Sequence, residues 1–198
     1  MPSATIPVPT DVKGLIFDLD GTIINSMPLH HDAYNHCLEP WKIHYPKELF
    51  LSRGGIPTKD TLLLIAEENN IEDFDIELAL NLKRKFVDSN LDRITLIEPV
   101  FDVVEKYYGL LPMAVGTGSN RGTVTEMFKM FGLEKFFEHT VSATDVSNFK
   151  PHPETFLKCA ELIGIQPIDC VVFEDGVPGM QAAKSAGMQV IDVTKFLA

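Results

Sequence analysis

Two aspartates separated by one residue follow an apolar segment near the start of the chain. Residues 15–17 (Leu-Ile-Phe) are typical of a short buried strand, and Asp18 and Asp20 come directly after it. Removing an unpaired carboxylate from water costs free energy, so two of them seldom follow a buried strand without a use. Ligands of open α/β sheets bind at the carboxyl ends of strands. The pair therefore predicts a catalytic edge of a sheet; the alternative is a turn that only closes the strand.

Two later apolar segments, 111–117 and 170–173, also end on polar residues, and Lys150 lies between them in a loop with a Pro-x-Pro element. Because parallel strands share one carboxyl edge, we expect all these residues beside Asp18 and Asp20. Carboxylates of this kind suit Mg²⁺ better than zinc, and with a hydroxyl and a lysine they predict a divalent-metal and phosphate site. The residues that join the two aspartates there are Thr117, Ser119, Lys150, Glu174 and Asp175.

The rest of the chain alternates predicted strands with predicted helices. This indicates βαβ units and an α/β fold whose parallel sheet has helices on both faces. Residues 28–93 depart from the scheme, because they show helical periodicity and no convincing strand. We expect a core of residues 1–27 and 94–198 that this helical insert interrupts once. The last predicted helix spans residues 180–186, before a final strand at 189–193.

Charge and composition exclude several classes of partner. The chain has 28 acidic and 17 basic residues and a net charge of −11, which argues against binding to nucleic acid or to anionic membrane surfaces. No apolar run approaches the ~20 residues of a membrane span, and the first ten residues lack the basic start of a signal peptide. Three cysteines without C-x-x-C spacing, Cys37, Cys159 and Cys170, lie in apolar surroundings. They predict buried thiols in a reducing, cytoplasmic location, and we expect a monomer.

The polar groups, taken in order, resemble the four motifs of the haloacid dehalogenase superfamily. The sequence D-x-D-G-T at 18–22, the strand-end hydroxyl of Thr117, Lys150 before a proline, and the acid pair at 174–175 match them over nearly the whole chain after residue 12. The resemblance implies a Rossmann-like parallel-sheet core with an inserted α-helical cap domain, here residues 28–93. A cap between the first two motifs is similar to that of the β-phosphoglucomutase-like subgroup, which includes small sugar-phosphate phosphatases.

For the chemistry, the resemblance implies a stepwise phosphoryl transfer. Asp18 would be the nucleophile that attacks phosphorus and forms an aspartyl-phosphate. Asp20 would protonate the departing sugar oxygen and then deprotonate the attacking water. Mg²⁺ would neutralise charge on the transferring group. Its ligands would be Asp18, the Asp20 carbonyl, Asp175 and Glu174.

The resemblance also implies which groups contact phosphate. Thr117, with the Gly118 amide and Ser119, would hold phosphoryl oxygens. Lys150 would pair with the phosphate and with Asp18. A carboxylate next to both a metal and a lysine stays ionised, as a nucleophile must. Mg²⁺ and the lysine would thus offset the acidity of the chain where an anionic substrate binds.

Within the insert, three residues are candidates for contact with the substrate. His30 takes the position of a cap histidine that can contact Asp20; the alternative is an ordinary histidine on a helix surface. Gly54 and Gly55 lie in the loop that corresponds to the substrate loop of the cap. We expect this loop to choose the substrate.

One departure from the subgroup favours hydrolysis over mutase chemistry. β-Phosphoglucomutases carry a basic pair around the cap loop, which grips the phosphate that is not transferred; an ungapped alignment puts Gly54 and Thr58 at those places, with Arg53 and Lys59 one residue away. Without that grip a bisphosphate intermediate is held poorly, and water more easily takes the phosphoryl group. We expect a Mg²⁺-dependent phosphatase of a small phosphorylated metabolite, a hexose phosphate such as fructose 1-phosphate. A β-phosphoglucomutase and a non-catalytic binding protein stay open as alternatives.

Overall fold

The computed structural model describes residues 5–54 and 56–197. The chain forms two compact units: one contains the residues up to Asn25 and from Leu96 onward, and the other is Ser26–Thr95. The insert expected from the sequence, 28–93, lies inside the second unit. Among the described residues, no helix combines the length and the apolar character that crossing a membrane requires.

The first unit is built on a parallel sheet of five strands in the order β3-β2-β1-β4-β5. This confirms the expected α/β, Rossmann-like architecture. The strands and α-helices of the described residues are, in chain order, β1 Gly14–Phe17, α1 Met27–Leu38, α2 Lys47–Ser52, α3 Thr58–Glu68, α4 Ile76–Asp88, α5 Glu98–Tyr107, β2 Met113–Gly116, α6 Arg121–Phe131, β3 His139–Val141, α7 Glu154–Leu162, β4 Cys170–Glu174, α8 Val177–Ser185 and β5 Gln189–Asp192.

The register of the three inner strands brings their ends together. Phe17 at the end of β1 is paired with Val115 of β2 on one side and with Phe173 of β4 on the other. All three strands are fully buried, which is why each reads as an unbroken apolar run. The polar residues that follow them therefore leave the sheet side by side.

The second unit consists of α1 to α4 and the connections between them. Its core is a cluster of buried apolar and aromatic side chains: Tyr34, Cys37, Leu38, Tyr45, Phe50, Leu62, Ile65 and Ala79. Helix α4 begins at a capping residue, Asp75, whose carboxylate accepts a hydrogen bond of 3.0 Å from the backbone N–H of Leu78. The six residues of α2 were not predicted, because fewer than two turns show no clear period.

Two details of the core unit refine the sequence predictions. Helix α8 begins at Val177 and not at the predicted residue 180, because Pro178 fits the first turn of a helix, where no backbone N–H bond is lost. The three cysteines are buried and unpaired, as predicted. Burial raises the pKa of the Cys159 thiol to about 12, so this thiol stays protonated and behaves as a small apolar side chain.

Candidate active site

Three carboxylates converge where β1 and β4 end. One oxygen atom from each of Asp18, Glu174 and Asp175 lies within 4.8 Å of the others. Asp18 and Glu174 are buried and Asp175 is half-buried. Carboxylates are seldom buried without a partner, so the cluster is a candidate site for a cation.

Lys150 supplies one positive charge to this cluster. Its Nζ donates to Oδ1 of Asp18 at 2.6 Å and to Oε1 of Glu174 at 2.8 Å. Only 7% of the lysine side chain is exposed. The ammonium also lies 4.6 Å from the centre of the Phe156 ring, a distance at which the face of an aromatic ring attracts a cation. A loop residue thus reaches the centre of the site, as the sequence predicted.

The titration of these groups follows from burial and from each other's charge. Burial alone would lower the pKa of Lys150, but the carboxylates of Asp18 and Glu174 outweigh it and raise the pKa above its ordinary value. Burial raises the pKa of Asp18, and the lysine offsets only part of that shift. Burial and the neighbouring Glu174 raise the pKa of Asp175 to about 7. The cluster therefore has more carboxylates than its single ammonium can balance.

A glycine and a threonine of the first motif hold Asp175 in place. Gly21 has φ +91°, and a Cβ at this position would lie 2.3 Å from Oδ2 of Asp175. The hydroxyl of Thr22 donates to Oδ1 of the same carboxylate at 3.1 Å. The sequence motif contains both residues, but their contact with Asp175 could not be predicted, since 153 positions separate Thr22 from it.

The carboxylate of Glu174 folds back over the start of α8. The backbone N–H of Gly176 donates to its Oε2 at 2.6 Å. A Cβ on Gly179 would lie 1.6 Å from its Oε1, so the side chain occupies the space that any other residue would fill. A glycine inside a helix costs stability. That cost is the signal that could have pointed to this residue from the sequence.

The end of β2 carries the second group of predicted residues. The buried hydroxyl of Thr117 accepts a hydrogen bond from the backbone N–H of Ser119 at 3.0 Å. A Cβ on Gly118 would meet no atom within 4 Å, so there is open space beside this residue. The hydroxyl of Ser119 donates to Oδ2 of Asp20 at 2.6 Å. Asp20 is thereby joined to the strand end that was predicted to hold phosphate.

Three candidate residues, His30, Gly54 and Gly55, belong to the second unit. His30 is half-buried in the first turn of α1, and its backbone N–H donates to the carbonyl of Ser26. Gly54 follows α2 and is also half-buried. Gly55 lies outside the described residues. Contact of these three with a substrate stays a prediction.

The order and geometry of the site agree with one family. A family model described as haloacid dehalogenase-like hydrolase matches residues 15–193. The chain belongs to this family. The hydrolase is 39% identical over 180 residues to the fructose-1-phosphate phosphatase YqaB of Escherichia coli (strain K12). The aligned segment covers 91% of this chain and 95% of that protein. It is 29% identical over 184 residues to a phosphorylated carbohydrates phosphatase of Thermotoga maritima, covering 91% and 84% of the two chains.

The fold of the hydrolase also matches solved structures. A β-phosphoglucomutase from Clostridium difficile has a TM-score of 0.78 at 24% identity, over 90% of this chain and 83% of that one. At this identity the likeness shows a common fold and carries no information about the reaction. The family and the fold expected from the sequence are thus both confirmed.

Proposed function

We propose that this hydrolase is a phosphatase that removes phosphate from a small phosphorylated sugar. The observation that carries the proposal is the buried contact of Lys150 with Asp18 and Glu174, with Asp175 beside them. The similarity to a fructose-1-phosphate phosphatase and to a phosphorylated carbohydrates phosphatase supports it. Of the sugar phosphates, a hexose phosphate such as fructose 1-phosphate is the first candidate.

The residues present fit a Mg²⁺ ion. Asp18, Glu174 and Asp175 offer hard oxygen donors close together, and they carry more negative charge than Lys150 balances. These three side chains and the carbonyl of Asp20 would hold the ion. When bound, Mg²⁺ neutralises negative charge on a phosphoryl group and keeps nearby carboxylates ionised.

Asp18 is the nucleophile of the proposed reaction. A carboxylate oxygen of Asp18 forms a bond to phosphorus while the bond from phosphorus to the sugar oxygen breaks. The product is an aspartyl-phosphate, which water then hydrolyses to inorganic phosphate and free Asp18. Lys150 donates to one oxygen of this carboxylate and thereby fixes its orientation.

Asp20 moves the protons in both half-reactions. It donates a proton to the departing sugar oxygen and later accepts one from the attacking water. The hydrogen bond from Ser119 holds one oxygen of Asp20 in place. The hydroxyl of Thr117 accepts from a backbone N–H, so its own proton is available to a phosphoryl oxygen, and the N–H of Gly118 serves the same phosphoryl group.

The second unit, Ser26–Thr95, selects the substrate in this proposal. His30 lies in its first helix and Gly54 in the loop after α2. This loop contains the positions where mutases carry a basic pair. The chain passes between the two units near Asn25 and again near Thr95. These two crossings are the expected hinges of a cap that opens and closes.

The proposal is tested by phosphate release from a panel of phosphoesters in the presence of Mg²⁺. The panel contains fructose 1-phosphate, glucose 6-phosphate, β-glucose 1-phosphate and an aryl phosphate. We expect release of phosphate from a hexose phosphate, and we expect Asp18→Asn to lower kcat at least about a thousandfold without unfolding the protein. Asp102→Asn, on an exposed face of α5, is the matched control and should leave kcat unchanged.

Three outcomes would contradict parts of this proposal. Conversion of β-glucose 1-phosphate to glucose 6-phosphate without released phosphate would favour the mutase. Substantial turnover by the Asp18→Asn variant would remove Asp18 as the nucleophile. No release from any phosphoester by the wild type would favour a binding protein without catalytic activity.

A further inference from the structure

The loop that presents Lys150 has no regular structure of its own. Residues 146–153 form neither strand nor helix, and residues 147–149 before the lysine are exposed. The lysine side chain is nevertheless only 7% exposed. Lysine ammonium groups are normally hydrated, so an exposed loop must be held firmly for this one to stay among buried carboxylates.

Glu154, the first residue of α7, holds the beginning of this loop. Its Oε1 accepts from the backbone N–H of Ser147 at 3.0 Å, and its Oε2 accepts from the backbone N–H of Asn148 at 2.9 Å. The side-chain amide of Asn148 donates to the same Oε2 at 2.9 Å. Lys158 adds an ion pair to Oε1 at 2.9 Å and also donates to the carbonyl of Asp145 at 2.6 Å. One carboxylate thus ties two consecutive loop residues to the helix.

These contacts need the carboxylate in its ionised form. The hydrogen bond from Ser147, the contact with Lys158 and the amide of Asn148 lower the pKa of Glu154 to about 2, so the group is charged near neutral pH. Hydrogen bonds to a charged acceptor are stronger than those to a neutral one. A carboxylate in the first turn of a helix is also favoured by the helix dipole.

Helix α7 is itself fixed to the core of the first unit. Phe156, Cys159 and Ala160 belong to a buried apolar cluster that also contains residues of strands β1 to β4, and the ammonium of Lys150 lies over the Phe156 ring. The first turn of α7 therefore contacts the lysine through Phe156 and the beginning of its loop through Glu154. It is a rigid base for positioning the ammonium.

We propose that Glu154 is a positioning residue for Lys150, a role that rests on the function proposed above. By holding the backbone of Ser147 and Asn148 against α7, it fixes the path of the loop, so that the ammonium stays on Asp18. Glu154 itself touches neither the substrate nor the reacting atoms. Its loss should therefore act through the lysine alone.

The first test is kinetic and uses a double-mutant cycle. We expect Glu154→Ala to lower kcat about tenfold in the wild-type background and less than about twofold in a Lys150→Ala background, because its effect passes through the lysine. Glu154→Gln keeps the size of the side chain and one acceptor oxygen, and should lose less activity than Glu154→Ala. Glu161→Ala, an exposed glutamate on the same helix, is the control and should change neither rate. Equal losses from Glu154→Ala in both backgrounds would overturn the positioning role.

The second test does not depend on enzyme activity. The rate at which an amine-reactive reagent labels Lys150 is followed by peptide mass spectrometry, with melting temperatures recorded to confirm folding. We expect labelling at least about fivefold faster in Glu154→Ala than in wild type, an intermediate rate in Glu154→Gln, and no change in Glu161→Ala. Unchanged labelling in both Glu154 variants would overturn the role. Faster labelling in Glu154→Ala than in wild type, together with no hydrolysis of any phosphoester by the wild type, would support the positioning role while refuting the proposed function.

Discussion

The hydroxyl of Ser119 shows how one hydrogen bond can change the role expected for a residue. The sequence placed Ser119 among the contacts to phosphate, but its hydroxyl donates to the carboxylate of Asp20 at 2.6 Å. In the proposed mechanism Asp20 must point to the leaving oxygen in one half-reaction and to water in the other. A fixed oxygen on this carboxylate favours proton transfer in both.

We predict that Ser119→Ala lowers kcat about tenfold and changes KM little, because the orientation of Asp20 matters more for proton transfer than for binding. Initial rates with the best substrate of the phosphoester panel would measure both constants. Ser185→Ala, at the exposed end of α8, should behave like wild type. A raised KM with an unchanged kcat would instead assign Ser119 to binding of phosphate.

The residues to which we assign chemical roles in the proposed reaction could be picked out from the sequence, but the residues that hold them in place could not. Asp18 and Glu174 stand out because charged residues at the ends of apolar runs are rare without a use. Lys150 stands out because it precedes a proline in a loop and matches the lysine motif of the family.

The contact of Thr22 depends instead on where the distant carboxylate of Asp175 comes to lie, and no local pattern contains that information. Gly179 does carry a local signal, a glycine inside a helix, but that signal does not say that the side chain of Glu174 occupies the space beside it. Glu154 could not be singled out from the sequence either, because a glutamate at the start of a helix is common.

One position of helix α8, Gly179, must be a glycine because the side chain of Glu174 occupies the space beside it. Within exposed helices, alanine in place of glycine stabilises by about 0.5–1 kcal/mol. At Gly179 the added Cβ would fall 1.6 Å from Oε1 of Glu174. The carboxylate would have to move, and its contact with Lys150 would be lost with it.

We therefore predict that Gly179→Ala lowers the free energy of unfolding by about 1–3 kcal/mol and also lowers kcat. Urea titration and steady-state kinetics would measure the two effects. Gly176→Ala is the matched control, because its Cβ would meet the same carboxylate at an ordinary 3.4 Å. If Gly179→Ala were as stable and active as this control, the close approach of Glu174 to α8 would have no energetic importance.

At the level of elements, long periodic segments were predicted well and short ones poorly. The buried strands and the helix 121–131, which ends at Gly132 with φ +64°, have clear sequence signals. Helix α2 is too short to show a period. The predicted start of α8, residue 180, lies three residues after the observed start at Val177, because Pro178 fits the first turn of the helix.

For the molecule as a whole, the charge balance leads us to expect that stability depends on a bound cation. The chain carries a net charge of −11, and its cluster of buried carboxylates contains a single ammonium. We predict that a chelator abolishes activity and that Mg²⁺ raises the melting temperature. At a hundred times the dissociation constant the stabilisation is about 2.7 kcal/mol.

Scanning calorimetry with and without MgCl₂ would measure this effect, with NaCl at equal ionic strength as the control for screening. Asp175→Asn should lose most of the shift, whereas Asp102→Asn should keep it. If Mg²⁺ left the melting temperature unchanged in the wild type and in both variants, the carboxylate cluster would not bind this ion.

The contacts of the site span most of the chain. Asp18 and Lys150 are 132 positions apart, and Ser119 and Asp20 are 99 apart. None of these contacts can form in a nascent chain until β1, β2 and β4 have paired, which is a slow kind of event in folding. We therefore expect a partly synthesised or partly unfolded molecule to have no catalytic activity on phosphorylated metabolites. Regain of activity after dilution from denaturant would report the completion of folding in the core unit and not the formation of any one part of it.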